Sequence, residues 1–179
     1  MTNNPGKQFE ENFKKSIPDY CLVHRLKDTA QSYNKSKFTK FTWQNPCDFF
    51  IYDSEFRLLY CLELKSTKSK YMAFEDIYSD EEQDKMIHKH QIKSLLKFSK
   101  FNNVVPGFIF NFRDEKNNME RTYFQHINDF DNMTRTINKT SFNEMDLIVH
   151  KAIKINGMKK RVNYYWDIEE FLKRGLMVV

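Results

Sequence analysis

The chain has 179 residues and a mass of 21.8 kDa, with 29 basic and 24 acidic residues giving a formal net charge of +5. This length predicts one domain, and the 40% of hydrophobic residues is enough for a core without disulfides or a structural metal. Aromatic residues make up 16% of the sequence, which excludes a largely disordered chain. The basic balance, with a pI near 9.0, favours a polyanionic partner without proving one.

Membrane and secretory classes are excluded next. No apolar run approaches the roughly 18 residues of a membrane span, and the first residues lack the pattern of a signal peptide. We therefore expect a cytoplasmic protein with no membrane partner. Cys21, Cys47 and Cys61 are too far apart for zinc-type spacing, so they are predicted to be reduced, partly buried thiols.

Hydrophobic spacing predicts the order of elements in the first two thirds of the chain. Residues 1–5 are expected to form a flexible tail, and the acidic run 75–84 a solvated loop or helix start. The predicted elements are a helix over 7–16, a strand over 20–26, a basic loop or arm over 30–45, a hairpin of strands 48–53 and 57–65, a helix over 85–100, and strands over 104–113 and 121–127.

The C-terminal third predicts two helices and a hairpin. Ser141 and Glu144 have the form of a capping box that starts a short helix. Asn156-Gly157 predicts a hairpin between residues 152–155 and 158–164, and a last helix ends near Gly175. Together these elements predict a single α/β domain spanning residues 1–179, with a mixed central β-sheet flanked by helices.

One constellation predicts chemistry. Asp48 opens a predicted strand, and Glu63 and Lys65 lie at the end of the next one. Side chains alternate along a strand, so Glu63 and Lys65 share one face while the intervening Leu64 points into the core. If the hairpin brings Asp48 to the same end, two carboxylates and the Leu64 carbonyl provide oxygen ligands for Mg²⁺, and Lys65 orients an attacking water. The alternative is a surface ion pair, which is the commoner meaning of such short motifs.

A family resemblance favours the first interpretation. In order along the chain it rests on the segments GKQFEE (6–11), RLKD (25–28), NPCDF (45–49), LELKST (62–67), HQI (90–92), GFIF (107–110) and YWD (165–167). This series resembles the RecU family of Holliday junction resolvases, particularly its phage-borne branch. The resemblance implies a restriction-endonuclease-like fold of the PD-(D/E)XK superfamily, a homodimer, and Mg²⁺- or Mn²⁺-dependent cleavage of branched DNA in a bacterial or phage-infected host cell.

The resemblance also implies roles for individual residues. Asp48, Glu63 and Lys65 match the motif aspartate, glutamate and lysine, so that Asp48, Glu63 and the Leu64 carbonyl become metal ligands. Glu10 matches an acidic residue that assists the metal from the first helix, with Glu11 as its rival. Gln91 matches a glutamine that organises the site. The segment between Asp28 and Asn45 is shorter than the RecU stalk, and residues 131–162 match loosely, so a less selective nuclease and a catalytically silent DNA-binding module stay as alternatives.

Several further residues are candidate DNA contacts. Lysines interleaved with aromatic residues are typical of surfaces that neutralise phosphates and stack on bases, although such aromatics also form small loop cores. Ser66 and Thr67 either donate to a phosphate or merely end the strand. His88 and His90, two positions apart on a predicted helix, are not expected to share a metal. The predicted DNA-binding residues are Arg25, Lys35, Lys37, Lys40, Trp43, Ser66, Thr67 and Lys68.

Overall fold

The computed structural model describes residues 4–26, 45–79 and 84–175. Its helices are α1 (Pro5–Lys15), α2 (Lys89–Phe98), α3 (Ile127–Thr136), α4 (Glu144–Val149) and α5 (Ile168–Gly175). Its strands are β1 (Cys21–Arg25), β2 (Phe49–Asp53), β3 (Leu58–Thr67), β4 (Met72–Ala73), β5 (Val104–Asp114), β6 (Met119–His126), β7 (Ser141–Phe142), β8 (Ile153–Ile155), β9 (Gly157–Lys160) and β10 (Asn163–Trp166). The predicted class, an α/β fold with helices and a β-sheet, is confirmed. Residues 30–44 of the predicted basic arm lie outside the described ranges.

The central sheet has six strands in the order β1-β2-β3-β5-β6-β8. Only the β3–β5 pair among them is parallel, and the other neighbours are antiparallel. A parallel pair needs a crossover, which here contains α2. The sheet is therefore mixed, as predicted, with the parallel pair at its centre.

Apolar residues cover both faces of this sheet. One face packs against α1 and α5 through a cluster that includes Phe13, Trp166 and Phe171. The other packs against α2 and α3 through a cluster that includes Phe108 and Phe130. Because the central strands are buried on both sides, β5 reads as a continuous hydrophobic run rather than an alternating one.

The observed element boundaries correct the N-terminal prediction. Helix α1 begins at Pro5, and the Asn4 side chain accepts a hydrogen bond from the Gly6 N–H at 3.0 Å, so neither residue belongs to a tail. Proline is favourable at the first helical position because its missing N–H has no intrahelical partner there. Helix α2 begins at Lys89, four residues later than predicted, because His88 is its N-cap.

The C-terminal third departs further from the prediction. Helix α3 was not predicted, and the capping box of α4 is formed by Asn143 and Asp146 rather than by Ser141 and Glu144. The hairpin predicted at Asn156-Gly157 is wrong, because β8 pairs with β6 in the central sheet. The hairpin instead joins β9 to β10.

Candidate active site

The candidate site lies where strand β3 extends beyond its neighbour β2. Strand β2 pairs with β3 from Leu58 to Leu62, whereas β5 pairs with β3 as far as Thr67. The second half of β3 therefore has an edge that β2 does not cover. Backbone groups on this edge are available to other partners, and Asp48 is one of them.

Asp48 immediately precedes β2 and binds β3 through its backbone and its side chain. Its N–H donates to the Leu62 carbonyl at 3.0 Å, and its Oδ2 accepts from the Leu64 N–H at 2.7 Å. The Asp48 carboxylate therefore lies against the peptide that joins Glu63 to Leu64. Since the N–H and C=O of one strand residue point to the same edge, the Leu64 carbonyl also faces this edge.

Glu63 and Lys65 lie next to each other, as the strand alternation predicts. Leu62 and Leu64 belong to the core cluster under α1 and α5, so Glu63 and Lys65 face the side of α2. The Lys65 Nζ is 3.0 Å from the Glu63 Oε1, and Gln91 Nε2 donates to the same oxygen. Glu63 is only 5% exposed, which excludes the alternative of an ordinary surface ion pair.

The start of α2 is fixed by a second carboxylate. Gln91 Oε1 accepts from the His88 N–H at 3.0 Å. Glu75 Oε2 accepts from the Lys89 N–H at 2.7 Å, and its Oε1 lies 3.0 Å from His88 Nδ1. Burial acts to raise the pKa of Glu75, but the Lys89 N–H and the His88 ring outweigh it and hold the pKa below its ordinary value.

Glu75 is a contact residue at the start of α2 that the sequence prediction missed. It was assigned to a solvated acidic run, whereas the structure places its carboxylate on the N-terminus of α2, where the helix dipole favours a negative charge. The sequence does show an acidic residue ahead of a helix. Because Glu75 and Lys89 are far apart in the chain, their contact could not be predicted from the sequence. Glu75 holds the turn from which Gln91 reaches Glu63.

The rings of His88 and His90 face each other. The sequence prediction places both on one helix, but His88 is the N-cap of α2 and has extended backbone angles. Their rings stack with centroids 5.5 Å apart and an interplanar angle of 10°. Burial lowers the pKa of His90, and the neighbouring His88 and Lys65 lower it further.

Glu10 lies near the end of β1, and its role at a metal stays a prediction. Glu10 forms an ion pair with Arg25, whose backbone pairs with Phe49, the residue after Asp48. Glu11 is exposed, so Glu10 is the one that faces this end of the sheet. The same ion pair engages the guanidinium of Arg25, which was predicted to bind DNA.

The other predicted DNA contacts divide into three groups. The Ser66 Oγ donates to Asn111 Oδ1 at 2.8 Å, and Thr67 is 6% exposed with its Oγ1 accepting from the Ser69 N–H at 3.0 Å. Both hydroxyls therefore have partners within the fold, and their contact with a phosphate stays a prediction. Lys68 is exposed. Lys35, Lys37, Lys40 and Trp43 lie outside the described residues.

The donor set at this edge fits a hard cation. Within residues 4–26, 45–79 and 84–175, no three His, Cys, Asp or Glu side chains form a group able to hold a metal ion. The oxygen-bearing groups along this stretch are the carboxylate of Asp48, which accepts from the Leu64 N–H, the carbonyl of Leu64 and the carboxylate of Glu63. Magnesium is commonly held by one or two carboxylates and completes its shell with water and substrate oxygens. This set therefore suits Mg²⁺, and it does not suit a metal whose ligands all come from the protein.

The cysteines are confirmed as thiols. Cys21, Cys47 and Cys61 are free and buried, more so than predicted. A hydrogen bond with Cys61 and burial raise the pKa of Cys47, and Glu63 and Asp48 add to this effect. Cys47 is therefore a neutral core thiol behind the site. Thiolate chemistry is not expected there.

Comparison with known proteins shows which family the chain belongs to. No protein-family model matches the sequence. Over 180 aligned residues the chain is 34% identical to the SPbeta prophage-derived uncharacterized protein YotM of Bacillus subtilis strain 168, covering 94% of this chain and 85% of that protein. The chain belongs to the family of this prophage protein. The match covers the YotM-family chain almost end to end, so the candidate site lies within the shared region.

Within the described part of this YotM-family chain, no helix has the length and apolarity needed to cross a membrane.

Proposed function

We propose that the protein is a metal-dependent endodeoxyribonuclease of the PD-(D/E)XK type that cleaves branched DNA, as RecU resolvases do. One observation carries the proposal. The Asp48 carboxylate accepts from the N–H of the Glu63–Leu64 peptide, while Lys65 and Gln91 converge on the adjoining Glu63 carboxylate. The mixed sheet with helices on both faces is compatible with a restriction-endonuclease-like fold, which is part of the proposal.

The chemistry follows from the groups at the edge of β3. Asp48, Glu63 and the Leu64 carbonyl would hold Mg²⁺ or Mn²⁺, which neutralises charge on a phosphate and lowers the pKa of a bound water. Lys65 places an ammonium 3.0 Å from Glu63, where it can orient the attacking water and stabilise negative charge on the phosphate. Gln91 Nε2 donates a hydrogen bond that fixes the Glu63 carboxylate, which is the usual task of groups behind metal ligands.

Substrate, assembly and context extend the same proposal. The RecU resemblance supports a four-way junction as substrate, and the prophage origin in the name of the relative supports recombination of phage or bacterial DNA. Two symmetric cuts across a junction are made most simply by a twofold-related pair of sites, so the proposed state is a homodimer. Light scattering should then give about twice the 21.8 kDa mass of the chain.

The test is cleavage of a labelled four-way junction, a linear duplex and a single strand, each with Mg²⁺ and with chelator. The proposal expects Mg²⁺-dependent products from the junction at a rate well above that from the duplex. Equal cleavage of junction and duplex would leave a less selective nuclease. Absence of cleavage from every DNA with Mg²⁺ and with Mn²⁺ would refute the enzyme.

Variants assign the activity to the site. Asp48→Asn, Glu63→Gln and Lys65→Ala should each nearly abolish cleavage while DNA binding persists, because these residues serve one reacting phosphate. Asp19→Asn, a matched change at an exposed acidic residue, should leave cleavage unchanged. Full activity in any of the three site variants would remove that residue from the mechanism.

A second candidate function is supported by the limited donor set. Because no three acidic or histidine side chains gather among the described residues, a catalytically silent DNA-binding module of the same fold also accommodates the geometry. Such a module would bind DNA equally with and without metal. Its melting temperature would not rise with Mn²⁺, whereas a ligand bound only by the native state must stabilise it.

A further inference from the structure

The segment that follows strand β3 is an exposed turn between two buried residues. Thr67, the last residue of β3, is buried, and so is Met72 at the start of β4. Between them the Thr67 Oγ1 accepts from the Ser69 N–H at 3.0 Å, and the Ser69 Oγ accepts from the Tyr71 N–H at 3.2 Å. These bonds order the backbone of the turn and leave its side chains outside.

The side chains of this turn have the character of a nucleic-acid contact. Lys68 and Lys70 are exposed, and Tyr71 is 54% exposed. Within the described ranges neither lysine forms an ion pair, in contrast to Lys139 and Lys173, which pair with acidic neighbours. In this turn, two ammonium groups with no ion-pair partner among the described residues therefore precede an exposed aromatic ring.

The turn also lies at a useful distance from the proposed chemistry. Lys68 directly follows β3 and is three residues after Lys65, so their backbones are at most about 10 Å apart at roughly 3.3 Å per residue. A DNA strand rises about 3.4 Å per base pair, so the turn lies within about three nucleotides of a phosphate at Lys65. The hydroxyls of Ser66 and Thr67 have partners inside the fold. The turn after them is therefore the next part of the chain that can extend the site.

We propose that Lys68 and Lys70 neutralise phosphates beside the cleaved one, and that Tyr71 stacks on an unpaired base at the branch point. The assignment rests on the proposed function and names how its site selects branched DNA. Phosphate contacts position any DNA, whereas stacking on a tyrosine requires a base that has left the duplex. The lysines therefore supply general affinity and Tyr71 supplies the preference for a branch.

The experiment measures DNA binding by fluorescence anisotropy in chelator, so that cleavage does not interfere. Labelled junction and duplex are titrated at salt concentrations from about 50 to 200 mM with wild type, Lys68→Ala/Lys70→Ala and Lys97→Ala/Lys100→Ala. The last variant removes the same charge from exposed lysines at the far end of α2. The slope of log K against log salt should fall by about 1.8 in the first variant and stay unchanged in the control.

Tyrosine 71 is tested with a matched pair. Tyr71→Ala should weaken junction binding by about 5-fold or more and leave duplex binding unchanged, while Tyr71→Phe should bind as wild type does. Unchanged salt slopes in the turn variant, or equal loss on junction and duplex for Tyr71→Ala, would overturn this assignment while wild-type DNA binding stands. Failure of the wild-type protein to bind any DNA would overturn the proposed function together with it.

Discussion

Replacing Gln91 by Met removes a bridge between the start of α2 and the Glu63 carboxylate. Met keeps the length and helix propensity of Gln but neither donates nor accepts a conventional hydrogen bond. The change therefore deletes the hydrogen bond that Gln91 Nε2 donates to Glu63 Oε1. It also deletes the 3.0 Å bond that Gln91 Oε1 accepts from the His88 N–H. The contact of Glu63 Oε1 with the Lys65 Nζ at 3.0 Å remains.

The expected loss of stability follows from these two bonds. A hydrogen bond to a charged group contributes about 1.5–3 kcal/mol, and a helix-cap bond about 1 kcal/mol. Their sum is an upper range because both belong to one network, so we expect a loss of about 3 kcal/mol. For a domain of this size that lowers the melting temperature by about 6–12 °C.

The assay is thermal unfolding followed by circular dichroism in chelator, with Lys93→Met as the control on an exposed position of the same helix. Under the proposed function, Mg²⁺-dependent cleavage should also fall by about 10- to 100-fold, since groups that orient metal ligands have effects of that size. A Gln91→Met melting temperature equal to that of Lys93→Met, with unchanged cleavage, would refute the positioning role of Gln91.

Three further variants test the surroundings of the site. Burial acts to raise the pKa of Glu75, but hydrogen bonds hold this pKa below its ordinary 4.5. The ionised Glu75 therefore stabilises the fold above that pH. The gap in unfolding free energy between wild type and Glu75→Gln should shrink as the pH falls below about 4.5. Burial lowers the pKa of His126, whose Nδ1 accepts from the Asn128 N–H at 3.2 Å. Wild type should therefore lose stability relative to His126→Asn as the pH falls through about 6.5, measured by urea unfolding at a series of pH values. In Gly107→Ala the added Cβ would lie 2.4 Å from the Gln125 carbonyl oxygen, and urea unfolding should show a loss of about 1–3 kcal/mol or more; an unchanged midpoint would contradict the close approach of β6.

Strand alternation made the centre of the site predictable. The period of two along β3 placed Glu63 and Lys65 on one face, and the hairpin from β2 to β3 placed Asp48 beside them. Both inferences depend on local geometry, which the sequence expresses directly. Contacts that join distant segments were not accessible in this way, as Glu75 shows by reaching Lys89 from another loop.

The missed elements have specific physical causes. Helix α3 carries the apolar stripe Ile127, Phe130 and Met133, but its Asn, Asp and Thr residues have weak helix propensity. Asn156-Gly157 has the composition of a hairpin turn, but no hairpin turn forms there. Glycine fits position 157 because an added Cβ would lie 2.7 Å from the Tyr164 ring. The turn itself falls at Arg161, with φ of 56°, a conformation that the sequence does not mark with glycine.

The most direct test of the account is calorimetric titration of Mn²⁺ into the wild-type protein and into Asp48→Asn/Glu63→Gln. If Asp48, Glu63 and the Leu64 carbonyl hold the cation, wild type and Lys65→Ala should both bind Mn²⁺, and the double variant, checked for folding by circular dichroism, should not. Equal Mn²⁺ binding by wild type and the folded double variant, or none by wild type, would contradict the proposed metal site.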